Sequence, residues 1–362
     1  MSIQSELQAT IADLVVKGKG ILAADESHPT MAKRFTAINV ESTEESRRVY
    51  RSLLLTTPGL DEFISGVILF EETLGQKTDS GKLLPCMAAD KDIVPGIKVD
   101  KGTLSLANAS GDLITQGLDG LAERLTGYKE QGARFAKWRE VYSISPHNPT
   151  QLGIDANAEV LARYAAICQS LGIVPIVEPE VLLDGDHTIE RCFEVTEAVQ
   201  HAVFHALHRH RVELEYIVLK PSMIVPGKDA QRKANFEEIA EKTLAQLRRS
   251  VPAAMPGINF LSGGQTPEAA TANLNAMNAM AGNAPWQLSF SYGRALQQPV
   301  LQAWQGKPEN SKAAQDALYK RAKLNLIRKI LQLGEANMPD EARWLPQRRV
   351  DAEEASQDGS AG

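Results

Sequence analysis

The sequence has few cysteines and no excess of positive charge. Its three cysteines, Cys86, Cys168 and Cys192, are an odd number without a CxxC spacing, which argues against a disulfide framework and against a thiolate metal site. The net charge is −6 at pH 7, and a mildly acidic chain is a poor match for nucleic acid or an anionic membrane surface. We therefore expect neither nucleic acid nor a membrane among its partners.

Long hydrophobic runs and targeting segments are also missing. No stretch approaches the roughly 18 apolar residues of a membrane-spanning helix, and residues 1–19 have neither a basic lead nor a small-residue cleavage site. The phosphate-loop pattern GxxxxGK[ST], the hydrolase pattern GxSxG and a convincing dinucleotide glycine fingerprint do not occur. These observations predict a soluble cytoplasmic protein in a reducing compartment.

Eight short apolar runs recur along the chain, and each is followed by a segment with helical character. Near-continuous apolar character is typical of a parallel strand that is buried on both faces. The runs are Gly20–Asp25, Ile64–Phe70, Ile93–Val99, Ala133–Arg139, Ile173–Glu180, Tyr216–Lys220, Ile258–Gly263 and Leu288–Gly293.

Eight strand–helix units in roughly 270 residues favour an α/β fold with a single (β/α)8 TIM barrel over an open sheet. The spacing of about 40 residues is also compatible with a repeat array, but no sequence words recur at that period. We predict one catalytic barrel domain over residues 1–335. Residues 336–362 are polar, charged and small, and we predict that they form a flexible, disordered tail.

Two helix starts are marked by capping signals. Asn235, with Glu238 three residues later, resembles a capping box. Thr266 followed by Pro267 offers an N-cap and a proline at the first helical position. Regularly spaced apolar residues follow both signals, so we expect a helix after each.

Charged or small polar residues stand at the C-terminal ends of most of the predicted strands. In a barrel these ends converge on one mouth, where the active sites of this fold lie. A single strand-end charge is most often exposed to solvent, but so many together predict a compensated cluster, because buried charges must be paired. The residues are Asp25, Lys98, Lys137, Arg139, Glu178, Glu180, Lys220, Ser262, Ser291, Gly293 and Arg294.

Lys220 is the candidate nucleophile, because it ends the apolar run YIVLK. Apolar surroundings and a neighbouring ammonium group, for which Lys137 is the candidate, both favour the neutral, nucleophilic form of an amine. The alternative is a strand-end lysine that only reaches into solvent. Glu178 and Glu180 are two residues apart and so share one face of a strand. They suit either proton transfer or pairing with the lysines, and the two roles are compatible.

Two glycine-containing segments have the character of phosphate sites. They are LSGGQ, which includes Ser262 and Gly263, and SYGR, which includes Gly293 and Arg294. Glycine lets backbone N–H groups approach an anion closely, and an arginine offers a bidentate fork. Their place after the seventh and eighth strands is the usual phosphate position of a TIM barrel.

A metal site is the weaker hypothesis. His201, His205 and His208 have spacings that could place them on one helix face. They lie between strands, in a helix on the outside of the predicted barrel, so an ordinary partly exposed helix is the better interpretation. We expect no metal and no other cofactor.

The sequence words around these residues resemble those of one enzyme family. GKGILAADES, SGVILFEETL, GIKVDKG, TQGLDGL, FAKWR, LGIVPIVEPE, LKP, FLSGGQ and FSYGRAL occur in that order. Together they strongly resemble class I fructose-bisphosphate aldolase, from about residue 10 to about residue 335. The resemblance implies cleavage of fructose 1,6-bisphosphate to dihydroxyacetone phosphate and glyceraldehyde 3-phosphate in glycolysis and gluconeogenesis. It also implies a metal-free lysine imine and a homotetramer.

The resemblance further implies a role for each catalytic candidate. Lys220 would form the imine with the C2 carbonyl, and Glu178 would be the acid and base of that step. Asp25 would take the proton of the C4 hydroxyl group as the C3–C4 bond breaks. Lys137 would perturb Lys220, and Glu180 would hold both lysines in place.

The resemblance also implies two phosphate sites. Ser262, Gly263, Gly293 and Arg294 would hold the C1 phosphate. Ser27 and Thr30, joined by Lys98 and Arg139, would receive the C6 phosphate. Arg34 and Ser291 complete the expected substrate-binding set.

The sequence departs from the family pattern in two places. Many members end in a tyrosine that assists proton transfer at C3, whereas no tyrosine follows Tyr319 here, so another donor or water would serve. The loop after AADES reads His28-Pro29-Thr30, where Thr-Gly and a hydroxyl residue are usual. Because proline lacks an N–H group, we expect this change to bear on the preference between bisphosphate and monophosphate substrates.

Three alternatives stay open from the residues alone. The first is another lysine aldolase, of the transaldolase or deoxyribose-phosphate type. The second is a catalytically silent barrel that serves as a scaffold. The third, a metal-dependent aldolase, is disfavoured because no histidine stands at a predicted strand end.

Overall fold

Parallel strands alternate with helices along almost the whole of residues 2–325, which are the residues that the computed structural model describes. The strands are, in chain order, β1 (Gly20–Ala24), β2 (Ile64–Leu69), β3 (Val94–Lys98), β4 (Thr103–Ser105), β5 (Leu113–Thr115), β6 (Phe135–Tyr142), β7 (Val174–Val181), β8 (Val218–Leu219), β9 (Gly257–Phe260) and β10 (Gln287–Tyr292).

The helices of the described residues lie before, between and after the strands. They are α1 (Ile3–Leu14), α2 (His28–Thr36), α3 (Glu44–Thr56), α4 (Glu71–Gly75), α5 (Leu84–Ala89), α6 (Leu121–Glu130), α7 (Gln151–Ser170), α8 (Ile189–Arg209), α9 (Phe236–Ser250), α10 (Pro267–Met280), α11 (Arg294–Trp304) and α12 (Ser311–Leu324). Short 3-10 turns occur at Leu60–Glu62, Leu214–Tyr216 and Pro308–Asn310.

Eight of the strands form a closed barrel in the order β1-β2-β3-β6-β7-β8-β9-β10, with β10 pairing back to β1. Every neighbouring pair in it is parallel. The predicted (β/α)8 barrel is therefore confirmed. The predicted tail, residues 336–362, and the last ten residues of the predicted barrel domain lie outside the described residues.

Several predicted strands differ in extent from those observed, and for the fourth and the sixth the difference moves candidate site residues. The fourth was expected to end at Arg139, but β6 continues to Tyr142 because it stays paired with β7 as far as Val181. The sixth was expected to begin at Tyr216, but that residue ends a 3-10 turn, and β8 has only two residues. Lys137 and Arg139 are thus inside a strand, and Lys220 follows one.

The antiparallel hairpin of β4 and β5 was not predicted. It lies between β3 and α6. All three residues of β4 are exposed, so the hairpin lacks the alternation of buried and exposed residues that identifies a half-buried strand.

The helix starts follow the capping signals of the sequence. The Asn235 side chain accepts a hydrogen bond from the Glu238 N–H at 2.8 Å, and α9 begins at the next residue. Thr266 caps α10 by accepting from the Ala269 N–H at 3.2 Å. None of the helices in residues 2–325 is long and apolar enough to cross a membrane.

Two apolar clusters lie on opposite faces of the barrel strands, since successive side chains of a strand point to opposite faces. The larger cluster joins the outer faces of the strands to the surrounding helices. The smaller one fills the interior at the N-terminal end, where Leu7 and Leu14 of α1 meet residues such as Ile21 and Phe135. Gly96 makes room there, because a Cβ atom at this position would collide with the ring of Phe135. The C-terminal mouth is left for polar residues.

Candidate active site

Four charged side chains, two within barrel strands and two directly after them, meet inside the C-terminal mouth. Glu178 of β7 lies between two lysines, with its Oε2 atom 3.2 Å from Lys137 Nζ and its Oε1 atom 3.1 Å from Lys220 Nζ. Lys137 Nζ is also 2.8 Å from Oδ2 of Asp25, the residue after β1. We call Asp25, Lys137, Glu178 and Lys220 the buried quartet. Four predicted catalytic residues are thus joined in one chain of ion pairs.

The strand register explains why Glu178 and Lys220 meet. Val177 of β7 pairs with Leu219 of β8, so the residues that follow them, Glu178 and Lys220, lie side by side. The Lys220 N–H donates to the Val177 carbonyl at 2.8 Å, which continues the pairing one residue beyond β8. The side chains of Glu178 and Lys220 are 4% and 5% exposed, so the buried Glu178 carboxylate depends on the two lysines beside it for compensation.

The pairing keeps Asp25 and Lys137 charged at neutral pH. Burial raises the pKa of the Asp25 carboxyl group, but Lys137, Lys220 and Lys98 lower it by more, so the pKa lies well below the usual range for aspartate. Burial lowers the pKa of the Lys137 ammonium group, but Asp25 and Glu178 raise it by more, so the pKa lies well above the usual range for lysine. A fixed carboxylate and a fixed cation therefore stand beside each other.

The family resemblance implied that Glu180 holds the two lysines, but Glu180 forms no described ion pair with either of them. Its Oε2 atom instead accepts a hydrogen bond from Arg139 Nε at 2.5 Å. Glu180 stands two residues beyond Glu178 on β7, roughly 6–7 Å closer to the mouth, and it is paired in register with Val141. Among the described ion pairs, Glu178 is the residue that holds both lysines.

Lys98 and Arg139, the two strand cations expected at the C6 phosphate, each have a carboxylate partner. Lys98 ends β3, and its Nζ atom is 2.6 Å from Asp100 Oδ1. Arg139 is paired with Glu180, as described above. Both cations are at the mouth, and a phosphate group would have to share them with these carboxylates.

The residues expected at the C1 phosphate come from two neighbouring strand ends. Ser262 and Gly263 follow β9, Ser291 lies in β10, and Gly293 and Arg294 lead into α11. Gly263 has a φ of 52°, in the left-handed region that favours glycine. The Ser291 side chain is buried, and its Oγ atom has no hydrogen-bond partner among residues 2–325. Arg294 is exposed, so its guanidinium group is accessible to an anion.

Ser27 is the N-cap of α2, Thr30 lies in its first turn, and Arg34 lies in its last turn. Ser27 Oγ is 3.2 Å from Thr30 Oγ1. Pro29 occupies the first turn of α2, where a helix does not use its N–H groups, so the proline is compatible with the fold. Arg34 NH1 donates to Glu26 Oε1 at 2.5 Å. The structure therefore connects Arg34 to a residue that the sequence motifs did not single out.

Glu26 belongs to a second buried cluster, which we call the Glu26 cluster and which consists of Glu26, Arg34, Arg51 and Gln297. Glu26 Oε2 is 2.7 Å from Arg51 NH1, and Gln297 Nε2 donates to Glu26 Oε1 at 2.7 Å. The sequence motifs did not single out this cluster, although two signals were present. Glu26 directly follows Asp25, and Arg51 stands on the buried face of the amphipathic helix α3.

The histidines considered as metal ligands are not part of this site. His201, His205 and His208 lie in α8 and are exposed. Within residues 2–325 no group of three or more histidine, cysteine, aspartate or glutamate side chains is arranged to hold a metal ion. The buried quartet instead offers an amine beside carboxylates that are held in ion pairs.

Known proteins of similar sequence and structure share one activity in their names. The chain is 56% identical over 320 residues to "Fructose-bisphosphate aldolase 4, cytosolic" of Arabidopsis thaliana, covering 88% of this chain and 81% of that protein. It is 54% identical over 326 residues to "Probable fructose-bisphosphate aldolase class 1" of Xanthomonas campestris pv. campestris, covering 90% and 97%.

A solved structure and a family model agree with these relatives. The co-crystal structure of fructose-bisphosphate aldolase from Plasmodium falciparum with TRAP and a small-molecule inhibitor superposes with a TM-score of 0.89 at 50% identity, covering 90% of this chain and 94% of that one. The family model described as "Fructose-bisphosphate aldolase class-I" matches residues 6–341. In line with the two lysines and two carboxylates of the quartet in a TIM barrel mouth, this chain belongs to the class I fructose-bisphosphate aldolase family.

Proposed function

We propose that the protein cleaves fructose 1,6-bisphosphate reversibly to dihydroxyacetone phosphate and glyceraldehyde 3-phosphate, as a carbon–carbon lyase of glycolysis and gluconeogenesis, through an imine on Lys220. The observation that carries the proposal is the chain of ion pairs in the buried quartet. Lys220 lies 3.1 Å from Glu178 Oε1, which places a proton-transferring carboxylate next to a buried amine.

The first step forms the imine. The Lys220 amine attacks the C2 carbonyl carbon and gives a carbinolamine, and loss of its hydroxyl group as water leaves a protonated imine. Glu178 suits both halves of this step, because it can take the proton that the amine loses and return one to the departing hydroxyl group. Lys137 stays a cation throughout, since its pKa lies well above the usual range, and it fixes the other carboxylate oxygen at 3.2 Å.

The second step breaks the C3–C4 bond. Asp25 takes the proton of the C4 hydroxyl group, C4 becomes the aldehyde carbon of glyceraldehyde 3-phosphate, and the bonding electrons move into the imine to give an enamine. Protonation of the enamine at C3 and addition of water then release dihydroxyacetone phosphate and restore the amine. Asp25 is held for this task by Lys137, 2.8 Å away.

The two ends of the substrate define which residues bind it. Ser262, Gly263, Ser291, Gly293 and Arg294 hold the C1 phosphate, since they surround the carboxyl ends of β9 and β10, where phosphates bind in this fold. Ser27, Thr30 and Arg34 receive the C6 phosphate together with Lys98 and Arg139. Glu180 positions Arg139 through their 2.5 Å hydrogen bond.

No metal or other cofactor enters this reaction, because the protonated imine itself accepts the electrons of the broken bond. We also propose that the enzyme is a homotetramer, as the family resemblance implies, and that it is located in the cytoplasm, in line with the name of the cytosolic Arabidopsis relative. A relative from Chlamydomonas reinhardtii is chloroplastic by name, so the compartment differs between members of the family.

The proposal is tested by cleavage of fructose 1,6-bisphosphate in the presence of a chelator, with and without borohydride. We expect full activity with the chelator, and irreversible loss of activity when borohydride and substrate are present together. Activity that the chelator abolishes would contradict an imine mechanism and favour a metal-dependent one. Intact activity after borohydride treatment with substrate would contradict the imine directly.

A further inference from the structure

Glu26 joins four elements of the fold through one carboxylate. Its Oε1 atom accepts hydrogen bonds from Arg34 of α2 at 2.5 Å and from Gln297 of α11 at 2.7 Å. Its Oε2 atom is 2.7 Å from Arg51 NH1 of α3. Glu26 itself stands two residues beyond β1, so this single side chain ties the end of β1 to α2, α3 and α11.

The charges of the cluster do not cancel. Burial raises the pKa of the Glu26 carboxyl group, but Arg34 and Arg51 lower it by more, so the pKa lies below its usual value and Glu26 is ionised at neutral pH. One carboxylate then faces two guanidinium groups. Arg51 is only 3% exposed, whereas the Arg34 side chain is 21% exposed. The surplus positive charge is therefore accessible at Arg34.

The cluster also lies between the two proposed phosphate sites. Ser27, at the proposed C6 site, is the next residue along the chain. On the other side, a Cβ atom added at Gly293 of the proposed C1 site would lie 3.3 Å from the Ala23 carbonyl oxygen and 3.6 Å from Glu26 Oε1. Gln297 Nε2 donates to that same carbonyl at 2.6 Å. Glu26 thus contacts Arg34 of the proposed C6 site and adjoins Gly293 of the proposed C1 site.

From these contacts we propose that Glu26 is a positioning residue that holds Arg34 for the C6 phosphate and so determines the preference for a bisphosphate over a 1-phosphate substrate. The inference rests on the proposed aldolase function. The Arg34 side chain has several rotatable bonds, and its hydrogen bond to Glu26 restricts them before an anion binds. A guanidinium group that is already ordered loses less entropy when it makes a charge-assisted contact with a phosphate.

The test compares fructose 1,6-bisphosphate with fructose 1-phosphate, which lacks the C6 phosphate. In Glu26→Gln we expect kcat/KM for the bisphosphate to fall by about tenfold or more, mainly through KM, because the phosphate contact of a displaced Arg34 is lost. For fructose 1-phosphate we expect kcat and KM to change by less than about threefold. An equal fall in kcat/KM for both substrates would mean that Glu26 has a purely structural role, and it would overturn the proposal.

Glu72 provides a matched control, because it is also a partly buried carboxylate that joins α2 to α3. It accepts hydrogen bonds from Arg47 at 2.6 and 2.8 Å and lies 3.3 Å from His28 Nε2. Glu72→Gln should leave the ratio of the two kcat/KM values unchanged. A ratio that falls as much as in Glu26→Gln would show that any disturbance of α2 has this effect, against the proposal.

Two further variants keep the test decisive if Glu26→Gln does not fold, which thermal unfolding would show. Arg34→Met leaves Glu26 paired with Arg51 and should lower the same ratio by a similar factor. The double variant, with Glu26→Gln and Arg34→Met, should lower this ratio no further than Arg34→Met alone, since both changes remove the same contact between Arg34 and the phosphate. Additive losses would contradict an action through Arg34. A wild-type protein that cleaves neither substrate would instead overturn the proposed function.

Discussion

At the N-terminal end of the barrel the interior is apolar, whereas two residues further along the same strands it is charged. On β6, Phe135 belongs to the apolar interior cluster and Lys137 to the buried quartet. On β7, Ile176 precedes Glu178 in the same way. The backbone geometry is the same at both ends, so what differs is how each end is stabilised: one by removal of apolar surface from water, the other by pairing of charges.

Residues that stabilise the fold and residues that act in the reaction therefore lie only two positions apart on the same strand. Paired buried charges rarely add stability compared with apolar side chains of similar volume, while the loss of one partner leaves a buried charge uncompensated. We therefore expect changes at the N-terminal end to act on folding and changes at the mouth to act on turnover.

Lys220→Ala should lower cleavage of fructose 1,6-bisphosphate by about ten-thousandfold or more, because no imine can form. Its thermal unfolding midpoint should stay within a few degrees of the wild-type value, since Glu178 keeps Lys137 as a partner. Steady-state kinetics and thermal unfolding measure the two quantities. Lys228→Ala, which removes an exposed lysine paired with Asp184, is the control and should retain full activity.

Phe135→Ala should give the converse result at the other end of the barrel. Deleting this buried ring leaves a cavity beside Gly96, and such changes cost roughly 3–5 kcal/mol of unfolding free energy. Denaturant unfolding measures the loss, and activity per folded molecule should stay close to wild type. A large fall in kcat with little change in stability would break the division between the two ends. Leu104→Ala, at an exposed hairpin residue, should change neither.

Glu140→Gln tests what an unpaired buried carboxyl group does on the same strand. Glu140 accepts a hydrogen bond from Trp138 Nε1 at 2.8 Å, and its Oε2 atom has no partner within residues 2–325. Burial raises its pKa to about 8. Between its ordinary pKa of 4.5 and about pH 8 only the folded state keeps the proton, so wild-type stability should fall as the pH rises through this window and then level off.

The glutamine variant has no proton to lose there, so its advantage over wild type should grow from pH 5 to pH 8, by up to a few kcal/mol. Denaturant unfolding at the two pH values measures it. Glu309→Gln, at an exposed position, should show no such pH-dependent difference. An equal stability gap at both pH values would mean that Glu140 is ionised throughout, and that an unpaired charge is tolerated inside this fold.

Arg294→Ala should have the smallest effect of the four, because Arg294 is exposed and binds rather than reacts. Loss of a charge-assisted phosphate contact is worth about 1.5–3 kcal/mol, so KM for fructose 1,6-bisphosphate should rise roughly tenfold to a hundredfold with little change in stability. Arg191→Ala, an exposed arginine of α8, is the control. A fall in kcat at saturating substrate instead of a rise in KM would mean that Arg294 acts in the chemical step.

The comparison of the two ends also explains what could be predicted from the sequence. The barrel was predictable because apolar runs of parallel strands are read directly from the chain, and the charges that interrupt them mark the mouth. Asp25, Lys137, Glu178 and Lys220 were found in this way, and the structure places them in contact.

Pairing between distant residues could not be predicted. That Glu180 contacts Arg139 while Glu178 contacts both lysines depends on the register of β6 and β7, which periodicity does not encode. Glu26 and Arg51 are 25 residues apart, and Gln297 is 271 residues from Glu26. Each is an ordinary polar residue in its own segment, and the closure of β10 onto β1 is what brings Gln297 to Glu26.

The most direct test of the imine at Lys220 is peptide mass mapping after borohydride reduction with fructose 1,6-bisphosphate. We expect one reduced adduct, carrying a triose phosphate or hexose bisphosphate, on the peptide that contains Lys220, and no adduct without substrate. An adduct on Lys137 or on any other lysine in its place, or no adduct under conditions of full turnover, would contradict this expectation.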